Sequence, residues 1–258
     1  MLEGLERFVV DVTDHVATVT MRGHAVNAQG RRFREEIIRV FDTLHDTPDC
    51  RVIVLTGEGR AFSAGADLKD RPDLTQPGAY PQHNRMVRAS FDCVLDCGKP
   101  VVAAVNGAAI GAGAVLASCC DILVVAEDAF LSLTEVDVGL AGGARHVLRH
   151  FGPSDARLMA YTARRMYGPD LLRMRVASAC VPRDRVVEEA TAIAREIAAK
   201  SPLAVQAAKR SFSWTEEMPL RDGYRYEQTQ TVALSTTEDS KEAQRAFAEK
   251  RPAVFQGR

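Results

Sequence analysis

Two glycine-bearing loops hold the positions of this sequence that could do chemistry. The first loop is Ser63-Ala64-Gly65-Ala66-Asp67, and the second runs from Gly107 to Gly113 through Ala108-Ala109-Ile110-Gly111-Ala112. Each follows a short strand-like run, and small side chains leave the main chain of each open to close approach. The second loop feeds an apolar helical pattern, Ala114-Val115-Leu116-Ala117, so its N–H groups sit at the positive end of a helix dipole. Two N–H donors converging from separate loops would grip a carbonyl oxygen as negative charge develops on it, an effect of ~3–4 kcal/mol per donor. Glu135, taken alone, reads as a structural or surface carboxylate.

The elements that must position these residues follow from hydrophobic spacing. Phe8 to Thr13 and Val16 to Met21 are strand-like runs around Asp14-His15, the pattern of a hairpin. Phe33, Ile37, Val40, Phe41 and Leu44 recur at helical spacing, with Asn27 as the candidate cap. Arg51 to Thr56, Val101 to Val105 and Ile122 to Ala126 are continuous apolar runs that fit strands covered on both faces. Phe130 to Thr134 extends toward Glu135 and places it at a strand end, before the loop Leu140-Ala141-Gly142-Gly143. Pro72, Pro77, Gly78 and Pro81 make 71–82 an irregular loop ahead of a helix over Asn84 to Asp96. From Ala144 onward the spacing is almost wholly helical. The pattern predicts an α/β core over 1–200 and an α-helical region over 201–258 that packs on the core or on a neighbouring subunit.

The chain has 258 residues, 46% hydrophobic and 26% charged, which is ordinary for a globular protein able to bury a sizeable core. Lys+Arg 33 against Asp+Glu 34 leaves net charge −1, so no bulk field recruits nucleic acid or an anionic membrane. The six cysteines show no metal-finger spacing, and Cys119-Cys120 falls in an apolar helix as core. There is no run of about 18 apolar residues to span a bilayer, and the start lacks the look of a signal peptide. The expectation is a reduced, cytoplasmic protein. A dinucleotide fingerprint fails because Leu116 stands where the third glycine belongs, and neither glycine loop carries a phosphate-binding lysine.

From about Val10 to its end the chain resembles the crotonase (enoyl-CoA hydratase/isomerase) superfamily. The likeness is carried by Ala61 to Lys69, by Pro100 to Asp121, by Glu135 to Gly143, and by Thr237 to Glu242 with Phe247, Lys250 and Arg251. It implies a crotonase-type spiral of ββα units, a homotrimer or dimer of trimers, and a CoA thioester as substrate. No metal or separate cofactor is expected, since coenzyme A is part of the substrate. The resemblance assigns the oxyanion-holding amides to Ala66 and Ala112. It assigns CoA contacts to His24, Ala28, Ala64, Leu68 and Lys69, and it assigns the acid/base to Glu135. His24 departs from the lysine common at its position. The acyl pocket is expected from the loop 71–82.

Hydratases of this kind use two glutamates, and this chain has Val115 at the second position. Valine neither accepts nor donates a proton, so the two-carboxylate grip on water is absent. One carboxylate facing an enolate hole can still shift a double bond, as a Δ3,Δ2-enoyl-CoA isomerase does. It can also hydrate alone, as the hydroxycinnamoyl-CoA hydratase-lyases do. A catalytically silent acyl-CoA binder is the rival from another class. Asp137, two residues beyond Glu135 in an extended segment, would point the same way as a second acid. A change of chain direction near Gly139 favours a solvated or capping role for it. Asp67 reads as the cap of a helix after the first loop. Tyr80, His83 and His146 are candidates to line the acyl pocket.

Overall fold

Three times in succession the chain lays a long strand in one sheet, a short strand in a second sheet, and then a helix. The computed structural model describes residues 2–73 and 75–258; Leu74, within the expected irregular loop, lies outside the described residues. The hairpin comes first, with β1 (Phe8–Thr13) antiparallel to β2 (Val16–Met21). Asp14 and His15 both take positive φ, as a tight two-residue hairpin turn demands. Helix α1 (Arg31–Asp46) follows, burying Phe33, Ile37, Val40, Phe41 and Leu44 as the spacing predicts. Asn27 is not its cap. Gly30 holds that position, and the Asn27 side-chain amide instead donates to the carbonyls of Glu58, Ala61 and Phe62.

The repeats are β3 (Val52–Gly57), β4 (Ala61–Ser63) and α2 (Ala79–Leu95), then β5 (Val101–Val105), β6 (Ala108–Ile110) and α3 (Ala112–Cys119). The third has β7 (Ile122–Ala126), β8 (Phe130–Ser132) and, past a 3-10 turn over Glu135–Val138, α4 (Ala144–Val147). Strands β3, β5 and β7 run parallel in a six-stranded sheet, and β4, β6 and β8 run parallel in a four-stranded one. Side chains of β3 and β5 are fully buried, which explains their unbroken Val-rich sequence. Helix α2 begins at Ala79, so the irregular segment is shorter than the prolines suggest; Pro81 sits in the first turn, where a missing N–H costs nothing.

The C-terminal half holds α5 (Pro153–Thr162), β9 (Met166–Tyr167), α6 (Gly168–Arg173), β10 (Ala179–Val181), α7 (Val186–Ala198), α8 (Pro202–Thr215), α9 (Leu220–Leu234) and α10 (Glu238–Glu249). The short strands interrupt the helical reading: β9 closes the second sheet and β10 the first. Helix α8 is tied to the core by buried Lys209, whose Nζ donates to the Lys99 carbonyl at 2.9 Å and to Asp121 at 2.8 Å. Among the described residues no helix is long and apolar enough to cross a membrane.

Candidate active site

Because β4, β6 and β8 are in parallel register, the three segments that leave them emerge side by side at one sheet edge. Those segments carry Ala66, Ala112 and Glu135; the register makes Ala66 and Ala112 equivalent positions, and Glu135 lies one residue beyond the third. The first two are in main-chain contact. Gly65 takes φ +85°, and a β-carbon there would overlap the Ile110 carbonyl oxygen and stand 3.1 Å from the Ala112 nitrogen. Gly113 lies so close to the Ser63 carbonyl that a side chain has no room. Buried Gln29 bridges the pair: its side-chain amide donates to Ser63 Oγ and to the Ala112 carbonyl, both at 3.1 Å.

Both amides are left without an acceptor among the described residues, for structural reasons. Gln29 pairs with Ala66 in a parallel bridge by donating to the Gly65 carbonyl at 2.8 Å and accepting from Asp67 at 3.3 Å. That pattern uses the groups on either side of Ala66 and turns its own N–H the other way. Ala112 is the first residue of α3, where an N–H has no partner within the helix. Neither amide donates to another group among the described residues. Gly111, the N-cap, sends its N–H back to the Ser132 carbonyl at 2.8 Å, which fastens α3 to the third repeat.

Glu135 stands directly beside this helix start. Gly111 has φ +54°, and a β-carbon on it would come 2.9 Å from Glu135 Oε1. The other oxygen, Oε2, is buried with no hydrogen-bond partner. Burial pushes the carboxyl above the usual glutamate range, opposed by a bond to its own backbone N–H. Val115 is 4% exposed on α3 and packs toward Gly143 and Leu133. The position one turn beyond the Ala112 amide is therefore apolar and filled.

Several sequence expectations change. Glu135 opens a 3-10 turn rather than ending a strand, and Asp137 lies within that turn. At about 120° per residue, a residue two along points away, and Asp137 is exposed. Asp67 caps no helix; its Oδ1 accepts from the Lys69 backbone N–H at 3.0 Å to form a local turn. His146 packs against Phe91 at 5.5 Å and lines a different groove, with Leu95 and Asp96. Tyr80 stacks on His83, which lines a cavity beside the first loop.

The residues assigned to CoA fall on two adjoining segments. Ala64 donates to the Val26 carbonyl at 2.9 Å, which sets the 24–28 segment against the 63–69 loop. His24, Leu68 and Lys69 are exposed there, Ala64 is half-buried and Ala28 is buried. His24 Nδ1 accepts weakly from the Val26 and Ala28 amides at 3.4 and 3.5 Å. Two contributors escape a reading by motif. Gln29 has only its place between a strand and a helix to mark it. Arg34 has one local signal, a cation on the apolar face of α1 one turn before Ile37 and Ile38.

The arrangement offers two free amides from separate loops beside one protonatable carboxyl. Comparison with known proteins places it in context. The family described as enoyl-CoA hydratase/isomerase matches residues 11–258. A (7aS)-7a-methyl-1,5-dioxo-2,3,5,6,7,7a-hexahydro-1H-indene-carboxyl-CoA hydrolase of Rhodococcus jostii is 34% identical over 92% of each chain. A carnitinyl-CoA dehydratase of Salmonella heidelberg is 33% identical over 94% of this chain and 95% of that one. The crystal structure of an enoyl-CoA hydratase from Bacillus anthracis superposes with TM-score 0.92 at 31% identity, covering 98% of this chain and 100% of that one.

Proposed function

The chain belongs to the enoyl-CoA hydratase/isomerase family, has the crotonase fold and acts on CoA thioesters; from that premise we propose that it is a single-carboxylate enolate enzyme. The Ala66 and Ala112 amides receive the thioester oxygen, and Glu135 is the acid/base. The observation that carries this reading is the buried, unpartnered Oε2 of Glu135 beside the free amide that opens α3.

In hydration, ionised Glu135 takes a proton from water as the water oxygen bonds to the β-carbon. The electron pair of the double bond moves onto the thioester oxygen, where the two amides hold it. Protonated Glu135 then returns the proton to the α-carbon. In isomerisation the same group removes an α-proton from a 3-enoyl ester and delivers it at the γ-carbon, so no water is consumed. Val115 favours chemistry of this economy, because no second carboxylate is available to hold water. The residues at 24, 28, 64, 68 and 69 bind the CoA moiety, and no further cofactor takes part.

Exposed Phe212, Trp214, Leu220, Tyr224, Val232 and Phe247 on α8–α10 support assembly into a trimer or a dimer of trimers through the C-terminal helices. The deciding experiment is a screen of 2-enoyl-, 3-enoyl- and aryl-acryloyl-CoA esters. Loss of the conjugated-thioester absorbance marks hydration, and its gain marks isomerisation. Binding of these esters with turnover of none would instead mark a silent binder.

A further inference from the structure

The first turn of α1 carries an arginine on the face that the helix buries. Arg34 is 3% exposed. Arg31 and Arg32 pair with Glu35 at 2.8 Å and Glu36 at 2.6 Å, but the Arg34 guanidinium has no hydrogen bond or ion pair among the described residues. Burial opposes its ionised form and the nearby charges of Asp70 and Asp67 favour it, while its donors are left without an acceptor.

The side chain lines a cavity of about 230 Å3, together with Asp70, Arg71, Gln82, His83 and Met86. Asp70 is the carboxylate of that lining, and it is already engaged by the Arg31 backbone N–H at the start of α1. Asp67, the next nearest acid, is engaged by the Lys69 N–H at 3.0 Å. Burial and the charge of Arg34 lower the His83 pKa, against a rise from Asp70. The cavity thus presents Arg34 donors without an acceptor, beside carboxylates that balance part of its charge.

It also begins where the oxyanion loop ends. Asp70 follows Ala66 by four positions, a reach of at most about 14 Å in extended chain, and the Asp70 N–H turns back onto the Asp67 carbonyl at 3.1 Å. Two sources of anionic oxygen come within such a distance, a carboxylate on the acyl group and a phosphate of CoA. The volume admits a carboxylate with the few methylenes behind it, and the binding of free CoA tells that source from a phosphate. Resting on the reading that the site takes CoA thioesters, we propose that Arg34 binds a carboxylate at the far end of the acyl group. The preferred substrates are then CoA monoesters of dicarboxylic acids.

The test is calorimetric binding of glutaryl-, adipyl- and suberyl-CoA, each against the neutral valeryl, hexanoyl or octanoyl ester of equal length. Wild type should bind at least one dicarboxylic ester about tenfold to a hundredfold more tightly than its partner, the worth of a charged hydrogen bond. Arg34→Met should abolish that ratio, and Arg34→Lys should restore part of it. Equal affinities in wild type, or a preference that survives in Arg34→Met, would overturn the proposal. Equal weakening of both esters and of free CoA would move the anion to a phosphate and overturn it too. Should Arg34→Met fail to fold, the wild-type ratio alone decides. Neutral esters that bind normally without a dicarboxylic preference sink this inference and leave the CoA-thioester reading standing; no binding of any CoA ester sinks both.

Discussion

Glu36 and Glu135 are two carboxylates withdrawn from solvent in the same molecule, and they are treated in opposite ways. Glu36, on α1, accepts from the Glu6 backbone N–H at 3.1 Å, from that of Arg7 at 2.8 Å, and from Arg32 Nε at 2.6 Å. Every lone pair facing inward has a partner, so the group fastens the N-terminal segment to α1. Glu135 has one oxygen buried with no partner and the other against a glycine. A satisfied carboxylate has no reason to change its protonation state, whereas an unsatisfied one is poised to. The main-chain amides divide in the same way. The start of α10 is capped by Thr237, whose hydroxyl accepts from Ser240 at 3.2 Å, while the start of α3 is left open.

The contrast breaks most decisively at Glu135. Glu135→Gln should cut turnover by about 10²–10⁴-fold while leaving CoA-ester affinity nearly intact, read by steady-state kinetics and calorimetry; near-wild-type turnover would remove Glu135 from the chemistry. Ala112→Pro is next. Proline has no N–H, so kcat per folded molecule should fall by about 10²–10³-fold, read beside the melting temperature because the added ring meets the Gly65 contact. Glu36→Gln should do the converse, costing about 1–3 kcal/mol of stability by leaving donors unpaired, with turnover per folded molecule unchanged.

Two smaller effects sharpen the comparison. Val115→Glu supplies the second carboxylate, and crotonyl-CoA hydration should rise on the order of tenfold, short of what a fully positioned group gives. An unchanged rate would show a pocket shaped for other chemistry. Glu135→Gln should also raise the melting temperature at neutral pH. Folding raises the Glu135 pKa, so its ionised form opposes folding above the folded pKa, and that penalty vanishes below the ordinary value of about 4.3. The stabilisation should therefore disappear as pH falls through that range. A gain that persisted in acid would point to packing rather than charge.

The sheet core was legible because its strands are covered on both faces, and residues 52–55 of β3 with all of β5 and β7 are Val, Ile, Leu and Ala alone. The two loops showed themselves through glycines that main-chain contact requires at 65 and 113 and that a φ of +54° favours at 111. Short strands were harder to see. Ala108–Ile110 and Met166–Tyr167 have too few residues to display alternation, and tertiary pairing alone makes them strands. Asn27 and Asp67 misled for one shared reason: a short polar side chain satisfies turn carbonyls or turn amides as readily as a helix end. The unpaired state of Glu135 and of Arg34 could not be read locally, since it depends on which groups the fold leaves out of reach.

The account rests on one carboxyl group moving a proton at the carbon next to a carbonyl held by two amides, and hydrogen exchange reads that step without reference to the natural acyl group. Butyryl-CoA incubated with the enzyme in deuterium oxide should gain deuterium at its α-carbon, followed by mass spectrometry. Glu135→Gln should reduce that incorporation to the uncatalysed background. Exchange by Glu135→Gln at the wild-type rate would contradict the assignment of Glu135 as the base.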